Sequence, residues 1–288
     1  MTLTITDRLT NRIFPDYLWK KLSKKTKGFR CSQLILSFDC DTHEDIDVAE
    51  SVHIRLQNIG VTPVYAVPGA LLRKGAKVYK KIHESGAEFI NHGGRAHTYF
   101  NEKHQRHASC FFYDQQPLDV LIEDIELGHQ AVKDVLGFTP KGWRTPHFGT
   151  FQKQEHLEFL YQTLHKMGYL FSTSTSPEAG FKKGGFYKDR ELIEIPVTGS
   201  YTNPLSILDT WAYFEASDRS KTPKNYVEEC SKMGKFCEKH SLLINIYGDP
   251  SHIHGKDEFF EGIEILARSA RPTNYSNLIE ENCAVRSL

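Results

Sequence analysis

The 288 residues are 39% hydrophobic and 25% charged, which is enough apolar material for one large α/β domain and enough charge to keep it in solution. Thirty-six Lys and Arg balance 36 Asp and Glu, so a formal net charge of zero provides no pull on nucleic acid, and no nucleic-acid partner is expected. No apolar run approaches the ~20 residues of a membrane span, and no leader-like apolar stretch opens the chain. The six Cys (Cys31, Cys40, Cys110, Cys230, Cys237 and Cys283) form neither a Cys-x-x-Cys pair nor a disulfide framework, so a reduced, cytoplasmic protein is expected.

Residues 1–30 stand apart. An aromatic segment, Ile13-Phe14-Pro15-Asp16-Tyr17-Leu18-Trp19, runs into the basic stretch Lys20 to Lys27. This reads as an N-terminal arm packed on its own domain or on a sister subunit, followed by one domain over 31–288. Peripheral membrane contact through residues 13–27 is the alternative.

From there, strand-like and helix-like segments alternate. A first strand is predicted over 33–38. Val48, Val52, Leu56 and Ile59 share one face of a helix over 47–59, which Gly60 breaks. Next come a strand over 63–67, a helix over 77–85 and a strand over 87–91. A long helix over 117–136 ends at Gly137, a short strand covers 142–144, and a helix over 156–167 ends at Gly168. Later strands are predicted over 170–173, 193–197 and 242–247, and 172–185 reads as a loop within the domain. Such alternation makes parallel β/α units, and polar groups at many strand ends favour a closed barrel, where all of them face one site.

Asp39 and Asp41 end the first strand. Charges there need solvent, a partner or a metal. Fourteen His are a generous count, and His92 follows the third strand beside Gly93-Gly94, with His97 five residues later. One carboxylate and two imidazoles suit Zn²⁺, Fe²⁺, Ni²⁺ or Co²⁺ with positions left open for water and substrate. Loop imidazoles bonded to backbone are the plainer reading, and His104 and His107 are neighbouring candidates in a polar stretch. Asp39 can serve as a base beside the metal or as a cap for the following helix. Arg144, in Arg144-Thr145-Pro146-His147, has Asp39 and Asp209 as possible partners. Trp211 is either an apolar wall or ordinary core. His252, after the strand ending at Tyr247, can act as an acid or cap a helix.

In this order the motifs resemble the polysaccharide deacetylase family, the NodB-homology, carbohydrate-esterase-family-4-like group, over roughly 33–266, nearly the whole chain. The resemblance implies an α/β fold, a distorted (β/α) barrel of the NodB type, with one divalent metal at the strand C-termini (Zn²⁺ first, then Co²⁺, Ni²⁺, Fe²⁺ or Mn²⁺). It implies removal of an acetyl or formyl group from an amino sugar. Asp39 would be the general base and Asp41, His92 and His97 the metal ligands. Arg144 would orient Asp39 and pair with Asp209, and the His147 backbone N–H would serve the oxyanion. Trp211 would line the acyl pocket, Tyr247 would end the last strand beside the substrate, and His252 would be the general acid. The chain departs from the family in four ways. Cys40 separates the two Asp, as in a subset of intracellular members; the His pair is spaced by five instead of four; and Tyr247 stands where the late His is usual. His147 also replaces the usual aromatic after Arg-x-Pro. The expected partner is a carbohydrate, on a sugar nucleotide or a lipid carrier in surface-glycan synthesis. A cyclic amide or imide hydrolase and a non-catalytic glycan-binding barrel are the rivals, with Tyr201, Trp211 and Tyr213 favouring sugar.

Overall fold

The computed structural model describes residues 4–14, 16–26, 29–216 and 221–286. Eleven strands occur among them: β1 Gln33–Asp39, β2 Val64–Val67, β3 Phe89–Asn91, β4 Thr98–Asn101, β5 Arg106–Ser109, β6 Gly142–Trp143, β7 Phe171–Ser172, β8 Tyr187–Asp189, β9 Leu192–Glu194, β10 Leu243–Gly248 and β11 Arg271–Pro272. The main sheet runs β10-β1-β2-β3-β6-β7-β9-β8, with β11 beside β1. All of its ladders are parallel except β8 against β9. Helices cover its outer side, as the β/α alternation requires.

The sheet curls so that β9 and β10 approach without forming a ladder. The chain following β9 bridges the gap: Thr198 N–H donates to Asn245 O at 2.7 Å, and Asn245 N–H donates to Thr198 Oγ1 at 2.8 Å. This is the distorted (β/α) barrel expected from the sequence.

Period-two alternation in β1 sets the sides. Leu34, Leu36 and Phe38 pack with the outer helices, whereas Ile35 joins an inner cluster with Val64, Ile90, Phe171, Ile195, Tyr275 and Leu278. Ser37 and Asp39 share the parity of Ile35 and so face the interior. The C-terminal helix Tyr275–Arg286 brings Tyr275 and Leu278 to that cluster from the N-terminal end of the barrel, where Glu88 accepts the backbone N–H of Tyr275 at 2.9 Å.

The arm forms helices Ile5–Ile13 and Tyr17–Lys25. Leu18, Trp19 and Leu22 are buried, and the Trp19 indole N–H donates to Tyr201 O at 2.9 Å while its ring stacks on Tyr201 at 5.8 Å. The second helix thus turns its apolar face to the barrel, while Leu9, Ile13 and Phe14 are exposed. No helix among the described residues is long and apolar enough to cross a membrane.

Three local expectations need correction. The helix predicted over 47–59 spans His43–Asn58, because Thr42 and Asp45 form a reciprocal capping box that starts it early. The loop predicted over 172–185 contains the helix Pro177–Lys183, opened by Pro at its start. The β4–β5 hairpin between His97 and Cys110 lies outside the predicted elements, since its exposed, polar strands lack an apolar alternation.

Candidate active site

The site sits where β1, β3, β6 and β10 end. β1 delivers Asp39 at its last residue and Asp41 two residues on. The register Phe38↔Gly248 places Asp249, just past the end of β10, next to Asp39. Asp45 ties these two loops together by accepting the Ser251 N–H at 3.0 Å.

The His92 loop is held by close approach to the helix Leu118–Leu136. Gly93 lies at φ +84°, and a Cβ there would come within 2.4 Å of Asp124. A Cβ on Gly128, facing it from the helix, would meet Asn91 Oδ1 at 2.1 Å. Asp124 accepts the N–H groups of Gly94 and Arg95 at 3.1 and 2.8 Å and the Tyr113 hydroxyl at 2.7 Å. Past this anchor, the base of the hairpin fixes His97: Cys110 N–H donates to His97 O at 2.7 Å and Thr98 Oγ1 donates to Asp41 O at 2.5 Å.

Asp41, His92 and His97 offer ligand atoms that all lie within 4.8 Å of one another. Asp41 Oδ1 is 3.5 Å from His92 Nε2 and 2.8 Å from His97 Nε2. Yet all three atoms are buried and none has a properly aligned hydrogen-bond partner. Close approach without hydrogen-bond geometry is what ligands of a shared ion show. Bonds of about 2.0–2.2 Å put neighbouring donors about 3.3–3.6 Å apart at tetrahedral angles and about 2.8–3.1 Å apart at right angles. His92 Nδ1 lies 2.9 Å from the Arg144 carbonyl and must donate to it, which fixes the tautomer and leaves Nε2 as a lone pair facing Asp41. The donor set therefore fits a divalent metal ion. Burial raises the Asp41 carboxyl, but the imidazoles of His97 and His92 outweigh it and hold the group well below the usual carboxylate range. Of the alternative ligands, His104 is exposed and His107 pairs with Glu44 at 2.9 Å, so neither joins the cluster.

Asp39 is 5% exposed, and its Oδ2 lies 3.9 Å from His92 Nε2. Its Oδ1 accepts from Arg144 Nη1 at 2.6 Å. Arg144 is wholly buried. Its Nη2 donates to Ser37 Oγ and Tyr275 OH, each at 2.8 Å, and its guanidinium lies 5.3 and 5.7 Å from the rings of Phe148 and Tyr247. The expected pairing with Asp209 is not formed. Asp209 opens the π-helical turn Trp211–Glu215, and its Oδ1 accepts the Ala212 N–H at 2.8 Å, which commits it to the backbone. Tyr275 stands in that role, and nothing in the local sequence of a C-terminal helix signals it.

His147 adopts φ +60°, a left-handed backbone that a non-glycine residue rarely takes without a local reason. Its ring lies edge-on to His97 at 5.1 Å and bonds Cys110 O at 2.8 Å through Nε2, and burial lowers its pKa. The His147 backbone N–H has no hydrogen-bond partner among the described residues.

His252 lies in the short helix Pro250–Ile253, on the same barrel mouth as Asp39. Its Nδ1 is 3.1 Å from Asp249 Oδ2 and 3.1 Å from Thr210 Oγ1. Burial alone would lower the imidazole, but the Asp249 carboxylate outweighs it and lifts the pKa to about 9. Trp211 is 56% exposed rather than core. Of the other aromatics thought to favour sugar, Tyr213 is buried and Tyr201 is stacked under Trp19, so neither forms an open platform.

No family model matches the chain, and neither does any curated protein. Solved structures do. A Mycobacterium smegmatis protein provisionally described as a polysaccharide deacetylase superposes with a TM-score of 0.63 at 16% identity, covering 90% of this chain and 92% of that one. An allantoinase matches with a TM-score of 0.58 at 10% identity, over 88% and 90% of the two chains. A Bacillus anthracis protein described as a pseudoenzyme of the CE4 family matches with a TM-score of 0.54 at 10% identity, over 88% of this chain and 66% of that one. At such identities the likeness is one of fold, and the chain has the distorted (β/α) barrel of the CE4 polysaccharide deacetylases.

Proposed function

We propose that this chain is a divalent-metal-dependent hydrolase that removes an N-acyl group, acetyl or formyl, from an amino sugar. The observation that carries the proposal is the buried Asp41–His92–His97 triad with Asp39 held beside it by Arg144. The ion, with Zn²⁺ the simplest occupant, would supply a Lewis acid for the acyl oxygen and acidify a water. Asp39 takes the proton of the attacking water. Arg144 fixes the carboxylate that does so. The free N–H of His147 donates to the developing oxyanion. His252, protonated through Asp249, gives a proton to the departing amine. Trp211 and Tyr247 bracket the sugar and its acyl group. We assign the carrier to a nucleotide or a lipid encountered in the cytoplasm during surface-glycan synthesis, in keeping with five described cysteines that are all free thiols.

The His252–Asp249 pair sets a pH dependence. An acid with pKa about 9 stays charged through neutrality, so kcat is expected to hold there and fall as the pH passes about 9. Asp249→Asn removes the countercharge, leaving burial to favour the neutral ring, and should move this alkaline limb toward the ordinary value of about 6.5. Superimposable limbs in the two kcat–pH profiles would take the acid role away from His252. Burial lifts the Asp249 carboxyl to about 7, so the charged pair exists between about pH 7 and about 9: it is lost on the alkaline side as His252 deprotonates and on the acid side as Asp249 takes up a proton.

A second reading, hydrolysis of a cyclic amide or imide by the same groups, is favoured by the allantoinase likeness and by the loss of Tyr201 and Tyr213 from the sugar platform. Incubating the metal-loaded protein with N-acetylated chito-oligosaccharides, an N-acetylamino-sugar nucleotide and allantoin separates the readings. Acetate release supports the first, ring-opened product the second. Tight binding of the oligosaccharide with no product from any of the three would leave a non-catalytic glycan-binding barrel.

A further inference from the structure

We propose that Tyr275, from the C-terminal helix, is the positioning residue that sets Arg144 against the Asp39 carboxylate. The inference rests on the hydrolase reading for its catalytic consequence, but not for its geometry.

Tyr275 is fully buried and reaches the barrel interior from the floor, opposite the mouth where substrate enters. The direction of its hydroxyl follows from its neighbours. Asn245 Nδ2 faces the carbonyls of Ile195 and Pro196, at 3.1 Å each, and Thr173 Oγ1 at 3.0 Å. All three accept there, so the amide nitrogen must lie on that side and Oδ1 must face Tyr275 at 2.8 Å. Asn245 Oδ1 can only accept, so the Tyr275 hydroxyl donates to it. The remaining lone pairs of the hydroxyl are left for Arg144 Nη2 at 2.8 Å.

Ser37 repeats the arrangement. Its hydroxyl donates to Ile246 O at 3.2 Å and accepts from the same Nη2. The two Nη2 protons are therefore divided between two oxygens whose own protons are committed elsewhere, and rotation of the guanidinium is blocked on that side. Nη1 is thereby held on Asp39 Oδ1 at 2.6 Å. Both auxiliary partners are neutral, so among the described residues Asp39 is the one carboxylate bonded to Arg144, and the buried pair stays balanced in charge. Asn245, Thr173 and Tyr275 act as one scaffold that passes the position of the barrel floor to the base at its mouth.

Tyr275→Phe deletes one oxygen and keeps the ring. A crystal structure of this variant is expected to show Arg144 rotated away from Asp39, with the 2.6 Å hydrogen bond broken or lengthened. In the acetate-release assay, kcat is expected to fall about 10- to 100-fold with KM and metal content near wild type, since a misaligned base costs turnover and not binding. Leu278→Ala, in the same helix and cluster but outside the network, serves as the structural control. It should lower the melting temperature and leave both the Arg144 geometry and kcat unchanged. Should the cavity left by Phe prevent folding, 4-fluorophenylalanine at position 275 keeps the volume while removing the hydroxyl. An Arg144 that stays on Asp39 in the variant overturns the proposal whatever the enzyme does. An Arg144 that moves while wild type releases neither acetate nor formate from N-acylated amino sugars upholds the positioning role and rejects the hydrolase reading instead.

Discussion

Asp39→Asn is expected to lower hydrolysis by about 10²–10⁴-fold while leaving the metal content of the protein at the wild-type level. The amide keeps an acceptor for Arg144 Nη1 and nearly the same volume, so the polar network around it survives in outline. It cannot take a proton from water. Asp39 Oδ2 is 3.9 Å from His92 Nε2, outside bonding distance and outside the triad that could share an ion, so its removal should not empty the site. Paired metal analysis and acetate-release rates test this. A variant that loses its metal together with its activity would make Asp39 a ligand instead of a base.

Arg144→Met carries the second large effect, on stability and turnover together. The guanidinium is wholly buried, and Asp39 is almost as enclosed. Met fills much of the same volume but leaves a carboxylate without its countercharge, and the oxygens of Ser37 and Tyr275 without their donor. Breaking a buried ion pair from one side costs about 3–5 kcal/mol. Urea unfolding is expected to show a loss of that size, with kcat reduced at least as far as in Tyr275→Phe. Unfolding curves that coincide would mean that water reaches Asp39 and that the pair holds nothing in place.

Much of the barrel is legible in the sequence because its signals are local. Apolar runs followed by Gly60, Gly86, Gly137 and Gly168 mark the alternation of strands and helices, and all four glycines end their segments at positive φ in the structure. The ligand triad is legible as a set of residue types at strand ends. The choice of His97 over His104 is not, because it depends on a hairpin whose exposed strands carry no apolar period. The partner of Arg144 is hidden for a related reason. Asp209 is a charge near a strand end, which makes it a natural candidate on paper, but a backbone N–H three residues on takes its oxygen. The hydroxyl that replaces it lies 131 residues from Arg144, in a C-terminal helix outside the predicted elements. Asp124 and Gly128 are hidden likewise: they look like ordinary helix positions until the His92 loop is laid against them. Asp45 alone has a usable signal, the Thr42-x-x-Asp45 box that also starts its helix.

The most direct test of the account is the metal content of the purified protein, measured by elemental analysis on wild type and His92→Ala side by side. The account predicts about one divalent ion per chain in wild type and little or none in the variant, since His92 supplies one of three ligands and its removal leaves two. A wild type that stays metal-free after incubation with Zn²⁺ or Co²⁺, or a variant that retains its full complement, would contradict it.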